Sequence, residues 1–95
     1  MELSETTLQV LKNFASINSN IVIKQGNVLK TISEAKNVLA SSAILEDIPK
    51  DFGVYDLNQL LNVLSLVDTP RLKFQDSNIV ISDSTGRTEI KYFYS

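Results

Sequence analysis

The chain of 95 residues contains neither cysteine nor histidine. Without cysteine it has no disulfide framework, no thiolate metal site and no thiol nucleophile. Without histidine it also lacks the commonest general base and metal ligand. Its three glycines do not provide a phosphate-cradling loop. These absences predict a protein that is not an enzyme, with no catalytic residue, no metal site and no cofactor.

Long apolar runs and an excess of positive charge are missing as well. No stretch approaches the ~20 apolar residues needed to cross a bilayer, and the N-terminus lacks the layout of a secretory signal. We therefore expect a cytosolic chain with no membrane partner. The formal net charge is −2 at pH 7, whereas domains that grip nucleic acid by bulk electrostatics are usually strongly basic. Any contact with DNA is predicted to be weak, local or shared among copies.

The remaining composition is that of an ordinary globular protein. Hydrophobic residues make up 43% of the chain and charged residues 21%, far from the composition of disorder. A chain of this size buries roughly two thirds of the surface that its unfolded form exposes. We therefore expect a single domain over residues 1–95.

A first amphipathic helix is predicted over residues 4–16, with Ser4 as its N-cap. Its apolar side is expected to consist of Leu8, Leu11, Phe14 and Ala15, with Val10 at the margin. Its outward side chains are expected to be Glu5, Gln9, Lys12, Asn13 and Ser16. Glu2 and Glu5 suit the positive end of the helix dipole.

A second helix is predicted within "YDLNQLLNVLSLV", residues 55–67, after the N-cap Asp56. Leucines recur at the spacing of one helix face, at Leu57, Leu60, Leu61 and Leu64. The opposite face is polar and wholly uncharged, with Asn58, Gln59, Asn62 and Ser65. Solvent-facing helices usually collect Lys and Glu, so this neutral face is unusual.

The remaining segments favour strands joined by short turns. "NIVIKQGNVLKTIS" (residues 20–33) predicts a β-hairpin around Gly26 and Asn27, which tolerate positive φ. Propensity alone leaves residues 34–45 at even odds between helix and strand. We expect a connection at residues 46–51, around Pro49. Further strands are predicted at residues 52–55, 71–75, 79–82 and 87–94, the last three as a meander. The fold class is therefore α+β, an antiparallel sheet with both helices packed on one face.

Three short motifs are better explained by structure than by chemistry. "DSTG" (residues 83–86) is typical of a turn and not of an aspartic protease. Glu46, Asp47 and Asp51 are more often solvated than gathered around a cation. The aromatic run 92–94 is more often a strand half in the core than a base-stacking platform.

Two separated motifs agree in sequence and spacing with one known family. "LKNFASIN" with "IVIKQG" (residues 11–18 and 21–26), and later "VYDLNQLLNVLSLV" (residues 54–67), resemble the N-terminal domain of the sliding clamps of T-even-type bacteriophages. The resemblance runs through "NIVISD", residues 78–83. It implies a DNA polymerase processivity factor, a homotrimeric ring around duplex DNA with helices lining the hole. It also implies a turn at residues 34–37 and a strand at 38–45.

The resemblance further implies which residues face DNA and which partners the full-length protein has. The DNA-facing residues would be Gln9, Lys12, Asn13, Ser16, Asn58, Gln59, Asn62 and Ser65. Lys12 matches a basic position of the family and is expected to contact a phosphate. The implied partners are duplex DNA, held weakly and without sequence preference, the DNA polymerase and the clamp loader, in the cytoplasm of the infected bacterium.

The chain departs from the family pattern at two points. Glu2 and Glu5 stand where the family tends to have basic residues, and the chain stops at Ser95, before a second domain. We therefore expect a fragment corresponding to the N-terminal half of a two-domain subunit. The alternative hypothesis is a small α+β phage adaptor or inhibitor that binds a protein partner through its sheet edge at residues 92–94.

Overall fold

The computed structural model describes residues 1–67 and 69–94, which form two helices and seven strands. The helices are α1 (Glu5–Ala15) and α2 (Leu57–Ser65). The strands are β1 (Ile21–Ile23), β2 (Gly26–Ile32), β3 (Leu39–Ile48), β4 (Phe52–Val54), β5 (Arg71–Phe74), β6 (Asn78–Ser82) and β7 (Glu89–Phe93). Both helices lie where the sequence predicts them, and the predicted α+β class is confirmed.

Within the described residues, all strand pairs are antiparallel and fall into three groups, β1 with β4, β2 with β3, and β5–β6–β7. The meander predicted for the last three strands is confirmed, with Ile81 of β6 opposite Leu72 on one side and Ile90 on the other. Ile81 is fully buried. The middle strand of the meander therefore contributes directly to the core.

The hairpin predicted between β1 and β2 is wrong. Gly26 has the expected positive φ, 117°, but the bend sends the two strands to different partners. Val22 of β1 lies opposite Gly53, while Gly26 itself lies opposite Ile48 of β3. The amide of Gln25 donates to Oδ1 of Asp51 at 2.6 Å. A turn residue thus specifies that the chain changes direction, but not which strand receives the hydrogen bonds.

The ambiguous segment forms the second arm of a hairpin between β2 and β3, as the resemblance implied. The turn is closed by the amide of Ser33, which donates to the carbonyl of Val38 at 2.9 Å. Strand β3 continues to Ile48, so the connection predicted at residues 46–51 is wrong for its first three residues. Pro49 restricts Ile48 to extended geometry, and that geometry is compatible with the strand.

Residues 1–3 run alongside β5, an arrangement that no sequence pattern predicted. The amide of Leu72 donates to the carbonyl of Met1 at 2.6 Å, and the amide of Leu3 donates to Pro70 at 3.3 Å. These bonds cover one edge of the meander. Within the part of the chain that the structure describes, no strand pairs with the outer edge of β7, and no helix is long and apolar enough to span a membrane.

The two helices pack beside each other in antiparallel directions. Glu5 and Leu8 at the start of α1 line the same groove as Leu64 and Ser65 at the end of α2. The buried side chains of the helices are Thr7, Leu11 and Phe14 of α1 with Leu57, Leu60 and Leu64 of α2. The predicted apolar faces are therefore confirmed at their centres, with Leu8, Val10, Ala15 and Leu61 half-buried at the margins.

Candidate nucleic-acid interface

The eight side chains predicted to face DNA all lie at the surface of the helix layer. Gln9, Lys12 and Asn13 project from α1, and Ser16 is the C-cap of that helix. Asn58, Gln59, Asn62 and Ser65 project from α2. We call this set the helix-layer surface.

Local hydrogen bonds hold several polar groups of α1 in place. The Nε2 of Gln9 donates to Oδ1 of Asn13 at 3.2 Å, across one turn of the helix. The hydroxyl of Ser16 donates to the carbonyl of Asn13 at 2.6 Å. These neutral groups therefore satisfy part of their hydrogen bonding within the helix and retain acceptors and donors that face solvent.

The start and end of α2 are organised in the same manner. Oδ1 of Asp56 accepts from the amide of Gln59 at 3.2 Å, which confirms the predicted N-cap. The hydroxyl of Ser65 donates to the carbonyl of Asn62 at 2.6 Å. The helix α2 has no acidic residue in its first turn and no basic residue in its last turn.

The antiparallel packing brings the outer faces of the two helices next to each other. Ser65 of α2 and Glu5 of α1 border the groove between the helices. Gln59 lies on the other flank of α2, where it lines a groove with Val63, Tyr92 and Phe93. Gln59 therefore stands at the margin of the helix-layer surface, nearest to β7.

Charge is sparse on this surface. The charged residues of α1 are Glu5 in its first turn and Lys12 in its last, and α2 has none. Glu5 lies near the positive N-terminal end of the helix dipole and Lys12 near its negative C-terminal end, so both placements are favourable. The outer faces therefore offer amides and hydroxyls as the main contact groups, with Lys12 as their cation.

The three acidic residues considered as a cation site do not converge. Asp51 accepts from Gln25 and lies 3.7 Å from the Nζ of Lys24. No cluster of three metal-ligating side chains exists among the residues that the structure describes. Glu46 is buried, with 8% of its surface exposed, so the prediction that it is solvated is wrong. It lies on β3 and faces the start of α1.

The Glu46 carboxylate is satisfied by hydrogen bonds from α1. Oε2 accepts from the amide of Ser4 at 2.7 Å, and Oε1 accepts from the hydroxyl of Thr7 at 2.5 Å. Burial acts to raise the pKa of Glu46, but the bonds from Thr7 and Ser4 outweigh it and hold the pKa below its ordinary value. The alternation of buried residues through Ile44 and Ile48 could have revealed this inward position.

The other two motifs are structural, as predicted. Oδ1 of Asp83 accepts from the amides of Thr85 and Arg87, which closes the "DSTG" turn. The hydroxyl of Thr85 also donates to it and lowers the pKa of Asp83. In the final strand Tyr92 and Tyr94 are half-buried, whereas Phe93 is 64% exposed.

Comparison with known proteins identifies the family. The chain matches the family described as DNA polymerase processivity factor over residues 4–93. It is 36% identical over 95 residues to the sliding clamp of Vibrio phage KVP40, covering 100% of this chain and 42% of that protein. It is 42% identical to the sliding clamp of Escherichia phage RB69 and 41% identical to that of Enterobacteria phage T4, each over 86 residues. Each of these two matches covers 88% of this chain and 38% of the relative. The chain thus spans well under half the length of these relatives, and it belongs to the DNA polymerase processivity factor family.

Proposed function

We propose that residues 1–95 form the N-terminal clamp domain of a subunit that, in the longer protein, assembles as a homotrimeric ring around duplex DNA. The ring is loaded by a clamp loader, tethers the replicative DNA polymerase and works in the cytoplasm of the infected bacterial host. It acts by topology and not by catalysis. The family match over residues 4–93 and the relatives named sliding clamp support this proposal.

The observation that carries the DNA-facing role is the neutrality of the helix-layer surface. A sliding clamp must stay on DNA without stopping at any position along it. Each strong charge-assisted bond to a phosphate deepens an energy well from which sliding must escape. Amide and hydroxyl groups such as those of Asn58, Asn62 and Ser65 contact phosphates directly or through water with little Coulomb attraction. Weak contact is therefore what the function requires.

Lys12 is the residue that we propose for a direct phosphate contact. It is exposed on the outer side of α1, one turn beyond Leu8, which borders the groove between the helices. One lysine on each helix-layer surface draws the duplex towards the helices but does not fix its register. In a ring, copies of this weak contact would act together.

A titration of the ¹⁵N-labelled chain with two short duplexes of unrelated sequence tests the proposal. At low ionic strength we expect small amide shift changes confined to α1 and α2, equal for both sequences, with no saturation in the micromolar range. At physiological salt we expect no measurable binding. Micromolar binding to one sequence, or shift changes confined to the strands, would contradict the proposal.

The rival hypothesis, an adaptor that binds a protein through its sheet edge, has one supporting observation. Phe93 is exposed beside the outer edge of β7. Tyr92 and Tyr94, however, direct their hydroxyls to the carbonyls of Asp56 and Gln75 at 3.3 and 3.0 Å, so the apolar patch is small. Recovery of a stable partner other than a polymerase or clamp loader in a pull-down would favour the adaptor.

A further inference from the structure

Glu46 supplies a hydrogen-bond acceptor at the start of α1 that the neighbouring residues in the sequence do not supply. The first amides of a helix have no partner within it. In a capping box the N-cap hydroxyl binds the third helical amide, and a Glu or Gln at that third position binds the amide of the N-cap in return. Here Ser4 fulfils the first half, because its Oγ accepts from the amide of Thr7 at 3.2 Å.

The second half comes from another part of the chain. The third helical position is Thr7, whose Oγ1 accepts from the Ser4 hydroxyl at 3.0 Å and not from the Ser4 amide. Glu46, 42 residues away on β3, supplies its Oε2 for that amide at 2.7 Å. Its Oε1 accepts from the Thr7 hydroxyl at 2.5 Å. The capping box is therefore completed across the two elements and joins β3 to α1.

These two bonds define the position of the first turn of α1. Thr7 is 2% exposed and Glu46 is 8% exposed, so neither group can exchange its partner for bulk water without opening the structure. A buried carboxylate that lost its donors would carry a large desolvation penalty. Sliding or rotation of the first turn against β3 is therefore disfavoured.

We propose that Glu46 is a positioning residue for the helix-layer surface: from β3 it fixes the first turn of α1 and so keeps the outer face of α1 beside that of α2. The inference rests on the proposed function, because the fixed orientation of α1 matters when its outer face contacts DNA. A clamp whose individual contacts with DNA are weak needs each contact group in the correct position relative to the duplex, because no strong bond compensates for a displaced helix. Glu46 itself touches no DNA.

Amide hydrogen exchange on the chain without DNA tests the positioning role. Glu46→Met removes both acceptors at similar length, and we expect exchange of the Ser4 amide to become about tenfold faster or more. Exchange in β6, at Ile79 and Ile81, should change much less. Thr7→Val removes only the hydroxyl and should weaken protection of the same turn, which keeps the test decisive if Glu46→Met folds poorly.

Two matched variants distinguish the positioning role of Glu46 from simpler explanations. Glu46→Gln keeps one neutral acceptor, so its Ser4 amide should exchange at a rate between those of the wild type and Glu46→Met. Glu5→Gln removes a charge from the same helix end but no bond between elements, and it should leave that amide near the wild-type rate. An equal effect of Glu5→Gln, or a uniform increase that includes β6, would overturn the positioning role.

Titration of Glu46→Met with the same duplexes completes the test. We expect its shift changes on α1 to weaken relative to those on α2, where Asn62 reports the undisturbed helix. If hydrogen exchange changes as expected but DNA causes no shift changes on the helices of the wild-type chain, the proposed function fails and the capping role of Glu46 stands. If DNA does cause those shift changes, and Glu46→Met alters neither them nor the hydrogen exchange, the positioning role alone fails.

Discussion

The backbone amide of Leu57 donates a hydrogen bond to the carbonyl of Ser19, 2.6 Å away. This bond holds the first residue of α2 beside the loop that follows α1. At the other end of the pair, Leu8 and Leu64 line one groove. The two helices thus lie side by side at both ends, which brings their outer faces next to each other.

Replacement of Lys12 tests the proposed phosphate contact. Lys12→Gln should weaken the residual DNA affinity at low salt and reduce the slope of log affinity against log salt by about one. It should lower the free energy of unfolding by no more than about 1 kcal/mol, through the lost interaction with the helix dipole. The measurement is an NMR titration at several ionic strengths. Lys30→Gln, which replaces an exposed side chain of β2, is the control and should change neither the DNA affinity nor the salt slope. An equal effect of both variants would contradict a specific role for Lys12.

Added charge at Asn62 should have the opposite effect. Asn62→Lys should tighten DNA binding and increase the salt slope by about one, because a new ion-release contact forms at the centre of the outer face of α2. Asn62→Gln retains the neutral amide and should bind as the wild type does. If Asn62→Lys left binding unchanged, α2 would not face the duplex.

Removal of the N-cap of α2 tests how that helix is held. Asp56→Ala should lower the free energy of unfolding by about 1 kcal/mol, since the amide of Gln59 loses its acceptor. Asp56→Asn retains a capping oxygen and should remain close to the wild type. Urea unfolding followed by circular dichroism measures both. Equal losses in the two variants would show that charge, and not the cap, is what matters.

The pH dependence of stability should reveal the buried Glu46. Hydrogen bonds hold its pKa below the ordinary value of 4.5, so the folded state binds its proton less readily than the unfolded state does. The resulting stabilisation is complete above that ordinary value and is lost as the pH falls through the lower folded pKa. The difference in unfolding free energy between the wild type and Glu46→Gln should therefore shrink below pH 4.5. Thr7→Ser retains the hydroxyl, and its curve should run parallel to the wild-type curve; a difference that grew in acid would contradict the assignment.

Local patterns predicted the elements of this fold better than their pairing. The leucine spacing and Asp56 defined α2, because helix formation and capping depend on residues within a few positions of each other. The bend at Gly26 was also correct. The predicted pairing of the strands on either side of this bend was wrong, because β1 pairs with β4, about thirty residues later along the chain. Pairing over such distances depends on packing that a local window does not contain.

The candidate site shows the same limit. Periodicity placed Asn58, Asn62 and Ser65 at the surface correctly, since a helix wheel determines which residues oppose the core. It did not show that Gln59 lies at the margin beside β7. It also missed Glu46, because a charged residue three positions before Pro49 resembles part of a solvated loop until the length of β3 is known.

In the proposed function the outer faces of α1 and α2 contact the duplex together. The most direct test is relaxation enhancement of the chain's amides by a nitroxide attached to the middle of a short duplex at low ionic strength. We expect broadening at Lys12 and Asn13 of α1 and at Asn62 and Ser65 of α2 together, with the β2–β3 hairpin unaffected. Broadening on one helix alone, or strongest on the strands, would contradict it.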